Sequence, residues 1–417
     1  MNYKDTVLIL GVDSSTKYAL NYAKEIGVRT IITDYNTIDK CPLKKLADVS
    51  WDINVSEVDI LEKKCLEEHV TAIYAGNHEF CIEQARILTK RLNLPFYASD
   101  QAWEHSKNKV SFKKACIDAG IEVPRNYDFT SISSSGNSSE IVNYPVMVKP
   151  ADASSSKGLS ICHNYDELVQ AYNKALTFSQ NVIIEDYIDG DEFDISLYCD
   201  NGVVYLLRIM KHYTQTINNN KKFVLVYGPY KQIYPEYFEN IHPNVIQLLK
   251  NMNCTNGFLF IQAIRKNSKW YFLEMNYRIS GLSIHSAEKY LYGQSSAEKS
   301  LALALNRPYN YDPTKTANSE GKMVGFFYYS KPGIIDKIEG VDIVKSLEGV
   351  EITVERFKEK DEVKQTNDMT QIAYYIVLWD KTDEGIINKL KTINNTLHFI
   401  DQNGNQMLIP LENYDFS

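Results

Sequence analysis

Four polar residues interrupt two apolar runs between positions 258 and 281: Gln262 in FLFIQAI, then Glu274, Asn276 and Arg278 in WYFLEMNYRISG. The polar triplet Lys266, Asn267 and Ser268 lies between the runs, so the segment reads as a β-hairpin. Side chains alternate along a strand, which places Glu274 and Asn276 on one face with Trp270 and Phe272. Folding about Ser268 brings Gln262 roughly opposite Glu274. Three oxygen-bearing side chains backed by a guanidinium suit a magnesium–phosphate site, because hard cations take oxygen ligands. An edge hairpin with one wet face would carry the same residues, so this segment alone leaves both readings open.

Further candidates lie upstream. The strand-like YPVMVKP ends on Lys149, a position that a solvated lysine also occupies in ordinary strands. Ser154, Ser155, Ser156, Lys157 and Gly158 form a small-residue turn whose backbone N–H groups could cradle phosphate. It lacks the GxxxxGK[ST] pattern. The run VIIEDYIDGDEFD carries Glu185, Asp186, Ile188 and Glu192 through an acidic turn that is not an EF-hand loop. Lys109, in SKNK, stands ahead of an amphipathic helix.

Composition bounds the alternatives. A chain of 417 residues holds two or three domains. Its 44% hydrophobic and 24% charged content is ordinary for a soluble globular protein. A net charge of −8 argues against a nucleic-acid-backbone binder. No apolar run approaches the roughly 20 residues that span a bilayer, and the first residues lack a signal-peptide layout, so no membrane partner is expected. Seven scattered cysteines without CxxC spacing suit reduced, structural thiols in a cytoplasmic protein, and zinc is not expected.

The elements that must position these residues are α/β and α+β. Strand and helix signals alternate over residues 1–105, predicting βαβ units and a parallel sheet, while the absence of GxGxxG argues against a dinucleotide site. Ligands bind at the carboxyl ends of such strands, so residues 13–15 and 76–79 are candidate second-substrate contacts. One helix is expected over 107–119, a strand over 121–124 and a flexible loop over 131–139. Residues 106–308 hold nearly all the polar candidates, with an aromatic segment, 212–237, expected to hang over the cleft. Residues 309–417 read as an α+β cap with a helix near 384–394.

Taken in order, Lys109 before its helix, PVMVKP, SSSKGL, IIEDYIDGDEFD and FIQAI…FLEMNYRISG resemble the ATP-grasp superfamily over about 175 residues. The flanks are similar to the Rossmann-like preATP-grasp domain and C-terminal cap of amino-acid ligases. The resemblance implies that Lys109 and Lys149 hold ATP phosphates under a mobile loop containing Ser155, Ser156, Lys157 and Gly158. It implies Glu185 at the adenine amino group, the backbone of Asp186 and Ile188 at the ring edge, Glu192 at the ribose, and Lys211 as a further phosphate contact. Gln262, Glu274 and Asn276 fall at magnesium ligands, with one or two Mg2+ or Mn2+ ions, and Arg278 at the transferring phosphoryl group or acyl-phosphate; Arg278, Lys149 and Lys157 would be the catalytic cations. Two departures stand out: Gln262 is neutral where many relatives carry an acid, and Tyr277 replaces a proline, which should loosen the turn.

The implied activity is an ADP-forming carboxylate–amine ligase acting through an acyl-phosphate on an amino acid or related small carboxylate. Carbamoyl-phosphate-synthase-like activation of bicarbonate, which Gln262 favours, and a non-catalytic ATP-binding regulator are the alternatives. Around the acceptor, backbone N–H groups near Gly281 could face an oxyanion. Ser283 and His285 either line the pocket or serve as a cap and a packed histidine. A homodimer is a family-based expectation.

Overall fold

The computed structural model of the chain describes residues 4–134, 141–151, 158–217, 220–227, 234–282, 284–317, 321–366 and 369–411. The first sheet is parallel, in the order β3-β2-β1-β4, from β1 (Thr6–Leu10), β2 (Arg29–Thr33), β3 (Val49–Trp51) and β4 (Ala72–Tyr74). Every residue of β1 is buried. Val7 and Ile9 enter one apolar cluster and Leu8 and Leu10 another, so alternate side chains feed helices on both faces. This is the Rossmann-like layer expected from the sequence.

The expected helix over 107–119 is observed as Lys109–Asp118, and Asn108 divides it from a preceding helix, Asp100–Lys107. The Asn108 carboxamide oxygen accepts from the Val110 and Ser111 amides, each at 3.0 Å, and starts the second helix with Lys109 as its first residue. Residues 121–124 form no strand; the Glu122 carbonyl instead accepts from the Phe272 amide at 2.9 Å. The expected loop at 131–139 begins as the end of a helix, Phe129–Ser134. Its remainder lies outside the described residues.

A small antiparallel sheet follows, ordered β5-β8-β6-β7, from β5 (Asn126–Tyr127), β6 (Val146–Pro150), β7 (Ser160–Cys162) and β8 (Val182–Asp186). The Tyr165–Leu176 helix covers its apolar face through Leu168, Ala171 and Ala175.

The large sheet is antiparallel and eight-stranded, ordered β13-β12-β9-β10-β11-β14-β18-β16. Its strands are β9 (Asp191–Asp200), β10 (Val203–Ile217), β11 (Asn220–Tyr227), β12 (Gly257–Lys266), β13 (Lys269–Asn276), β14 (Lys322–Tyr329), β16 (Val350–Glu355) and β18 (Ile372–Asp380). β15 (Gly333–Glu339), β17 (Glu362–Val363) and β19 (His398–Asp401) make a three-stranded sheet, and the Asp383–Thr396 helix packs beside β18. The aromatic segment expected to overhang the cleft is mostly strand: the ends of β10 and β11 form a hairpin that β14 extends. Hydrogen-bonded sheet therefore runs on past residue 308 into the C-terminal region. All seven cysteines are buried and unpaired. Among the described residues, no helix is long and apolar enough to cross a membrane.

Candidate active site

The hairpin of β12 and β13 turns through Asn267 and Ser268, both at positive φ (50° and 63°), the geometry of a tight two-residue turn whose twist matches the strands. Gln262 pairs with Glu274, as the sequence suggests, and Phe260 with Asn276. The next pair is Ala263 with Phe272, so Leu273 is an extra residue and the ladder bulges there. This corrects the expected facing. A one-residue shift reverses every side chain beyond it, so Trp270 and Phe272 join the core with Ala263 and Phe193 while Glu274 and Asn276 stand with Gln262 on the opposite, polar face.

The polar row continues onto the next strand. Gln262 is also paired with Asp194 of β9, and Ile264 with Glu192. The alternate residues Phe193, Ile195 and Leu197 fill the core behind them. Asp194 is buried, and its Oδ2 lies 3.2 Å from His212 Nε2 on β10. Glu192, more exposed, lies 3.8 Å from His212 Nδ1. Burial opposes a charged imidazole at His212, but the Asp194 and Glu192 carboxylates outweigh it and raise its pKa. Lys211 points elsewhere, 3.1 Å from Asp191 and 5.0 Å from the Tyr213 ring.

Lysines link this row to the small sheet. Lys109 Nζ lies 3.0 Å from Glu274 Oε2. One turn later on the same helix face, Lys113 is buried and bonds Glu185 and, at 3.2 Å, Asn126. Lys149 takes the other Glu185 oxygen at 2.5 Å. Burial would raise the Glu185 pKa, yet Lys149 and Lys113 together hold it below the ordinary carboxylate value. Burial lowers Lys113 against the pull of Glu185. The carboxylate expected at the adenine thus serves as a hub for two lysines, and the amide of Asp186 is engaged by the Arg125 carbonyl at 3.0 Å. Ile188, just beyond β8, is half-buried.

Gly158 has φ +76°, and a Cβ there would stand 2.9 Å from Pro150 and from Phe178. Any other residue would push the turn off the end of β6 that carries Lys149. Ser155, Ser156 and Lys157 lie outside the described residues, as does Ser283.

Arg278 is held beside this row. Its Nη2 donates to Asn276 Oδ1 at 3.2 Å, Nη1 to the Ile279 carbonyl at 3.3 Å, and the guanidinium lies 5.0 Å from the Phe260 ring. Burial lowers its pKa against Glu79, Tyr97, Asp194 and Glu274, whose charges all act on it. Tyr277 does not loosen the turn. It is buried, donates to the Asn256 carbonyl at 2.6 Å, meets Tyr97 edge-on at 5.3 Å, and its own carbonyl accepts from Tyr97 at 2.5 Å.

The loops of the first sheet meet the same place. Asp13 accepts from the Ser15 amide at 2.8 Å and the Asn77 amide at 2.6 Å, which ties the β1 and β4 ends together. A Cβ on Gly76 would lie 2.2 Å from Asp13 Oδ2, so only glycine permits this approach. Gly76, Tyr97 and Arg278 line one cavity. His285 is wholly buried, 3.6 Å from Glu288 and 5.2 Å from the Tyr18 ring, which is the packed-histidine alternative. Gly281 opens towards Arg278, whose Nη1 would lie 3.9 Å from a Cβ there.

Lys113, Asp194 and His212 were not among the sequence candidates. Lys113 had one signal, its i+4 spacing from Lys109. Asp194 and His212 depend on strand register.

The two antiparallel sheets, joined across Lys109, Lys113 and Lys149, and the parallel layer before them have the layout of the ATP-grasp fold. Residues 118–287 match the family model of the D-ala D-ala ligase C-terminus. An L-amino acid ligase from Bacillus licheniformis superposes with a TM-score of 0.79 at 17% identity, covering 96% of this chain and 100% of that one. Phosphoribosylglycinamide synthetase from Anaerococcus prevotii gives 0.71 at 20%, with 95% and 100% covered. The biotin carboxylase domain of 2-oxoglutarate carboxylase from Hydrogenobacter thermophilus, solved with MgADP and bicarbonate, gives 0.75 at 19%, with 96% and 91% covered.

Proposed function

We propose that this chain is an ATP-dependent, ADP-forming ligase that joins a small carboxylate, an amino acid or a close relative, to an amine. The observation that carries the reading is a pair of charged clusters held by one helix: Glu185 between Lys149 and Lys113, and Lys109, one turn before Lys113, against Glu274, with Arg278 bonded to Asn276 at the end of the same strand.

A carboxylate does not condense with an amine at neutral pH, because oxide is a poor leaving group. Transfer of the ATP γ-phosphoryl group to a carboxylate oxygen releases ADP and gives an acyl-phosphate. The amine then attacks the acyl carbon, the C–N bond forms, the C–O bond to phosphate breaks, and the amine gives up a proton. Lys109 and Lys149 neutralise phosphate charge, joined by Lys157. Arg278, fixed by Asn276 and Phe260, faces the transferring group and later the acyl-phosphate. Glu192 and Lys211 remain assigned to the ribose and the phosphates, Glu185, Asp186 and Ile188 to the adenine end, and Gly281, Ser283 and His285 to the acceptor side, His285 acting from behind the pocket.

The donor set fits magnesium. Gln262, Glu274 and Asn276 offer oxygens from neighbouring positions on one face, although no group of three or more His, Cys, Asp or Glu that could hold a metal ion occurs among the described residues. Mg2+ (or Mn2+) held by these three residues would offset the negative charge of the phosphates.

Glu79, at the start of the helix that follows β4, and Arg278 would give the acceptor side both signs of charge, as an amino acid requires. Neutral Gln262 favours the second reading, activation of bicarbonate. ATP use on small metabolites and seven unpaired thiols support a cytoplasmic setting. The Hydrogenobacter relative was solved as a domain dimer, which supports a homodimer here.

The test is phosphate release from MgATP across amino acids, singly and in pairs, with bicarbonate as a separate arm. Release stimulated by an amino-acid pair, with a ligated product by mass spectrometry, supports the ligase. Stimulation by bicarbonate alone supports the second reading. Tight ATP binding without release under any condition leaves a nucleotide-binding regulator.

A further inference from the structure

Gln262 occupies the magnesium row without a charge, yet it is flanked on both sides by carboxylates: Glu274 on β13 and Asp194 on β9. Directly paired antiparallel residues hold their Cβ atoms about 4.5–5.5 Å apart, close enough for two side chains to share one cation. Asp194 is 5% exposed, and its Oδ1 has no hydrogen-bond partner among the described residues. A buried carboxylate oxygen left without a donor is costly unless a ligand completes it. Its other oxygen faces His212 at 3.2 Å, which orients the group.

We infer that Asp194 supplies the second carboxylate of a two-ion magnesium site, taking over from the neighbouring strand the charge that Gln262 lacks. The inference rests on the ATP-dependent reading above. One ion then lies towards Glu274 and Asn276, and the other between Gln262 and Asp194. Mg2+ is usually held through one or two carboxylates plus substrate phosphates, so a second ion gains from a second protein carboxylate. His212 positions Asp194 and does not touch the ion.

The test uses the full chain with Mn2+ as the spectroscopic stand-in and a non-hydrolysable ATP analogue, free Mn2+ being counted by electron paramagnetic resonance. The wild type should hold two Mn2+ ions, spin-coupled, per bound nucleotide. Asp194→Asn should keep the tighter ion and bind the second at least tenfold more weakly, since even supporting contacts around a metal are worth roughly 10–100-fold in affinity. Adding Gln262→Glu to Asp194→Asn should restore the second ion, which a general folding defect would not allow. Two ions of wild-type affinity in a cooperatively melting Asp194→Asn chain would overturn the assignment, as would a single ion in the wild type. Failure of the wild type to bind the nucleotide at all would overturn the ATP-dependent reading as well. Unchanged Mn2+ binding with nucleotide bound removes only the role of Asp194.

Discussion

Lys149 lies 2.5 Å from Glu185, and the opposite oxygen of that carboxylate is taken by the buried Lys113. One buried acid is therefore shared by two cations, Lys113 buried with it and Lys149 partly exposed. Removing the acid leaves both lysines uncompensated, whereas removing Lys113 leaves a matched pair. Glu185→Ala should destabilise the chain by about 3–5 kcal/mol, the usual cost of breaking a buried ion pair from one side. Lys113→Met should cost clearly less. Urea denaturation midpoints of the two variants check the order, and equal losses would remove the hub from the argument.

Glu274→Ala and Arg278→Ala should each lower the rate of ADP formation by roughly 10²–10³, the range for losing one charge-stabilising group at a transferring centre. Thermal melting should stay cooperative. Near-normal turnover in both folded variants would sink the assigned chemistry.

The bulge gives a separate prediction. Leu273 is the extra residue, so deleting it makes Phe272 and Glu274 neighbours in a regular ladder and keeps Glu274 and Asn276 on the face opposite Trp270 and Phe272. The deletion variant should therefore keep a cooperative melt and Mn2+-dependent nucleotide binding, as should Leu273→Ala. Loss of metal binding in a folded deletion variant would show that the bulge itself, beyond the facing it produces, positions Glu274.

These residues also show what was legible in the sequence. The pairing of Gln262 with Glu274 could be read because a short turn sets the register of a hairpin. The bulge could not, because Leu273 is one apolar residue in an apolar run and nothing local marks it as extra. Lys113 looks like any helical lysine until β8 brings Glu185 against it. Asp194 is 68 positions from Gln262 and meets it only through the β9–β12 register. Tyr277 was judged by the proline it replaces, whereas its contacts with Tyr97 and Asn256 decide the shape of the turn.

Acid should expose a second buried pair. Glu288 bonds Arg208 at 2.7 Å. Burial alone would raise its pKa, but Arg208 and then His285 reverse this and take it from an ordinary 4.5 to about 2. A depressed carboxylate contributes stability in full above its unfolded value and loses it as pH falls through the folded value. The contribution should therefore fade between about pH 4.5 and 2. Glu288→Gln should be less stable at neutral pH, because Arg208 is left unpaired, and should lose less on acidification. Parallel melting-temperature curves from pH 7 to pH 3 for the two proteins would contradict this.

The eight-stranded sheet has a consequence for how the protein is made. β11 is complete at Tyr227, yet the strand that covers its open edge, β14, begins at Lys322. A chain leaving the ribosome carries this unpaired strand edge for nearly a hundred further residues, while the rest of the polar row, Gln262 to Arg278, is still being added. Such an edge is a template for pairing with another chain. Truncation before residue 322 should therefore give a product that aggregates, and the C-terminal region acts during synthesis as the piece that closes the sheet.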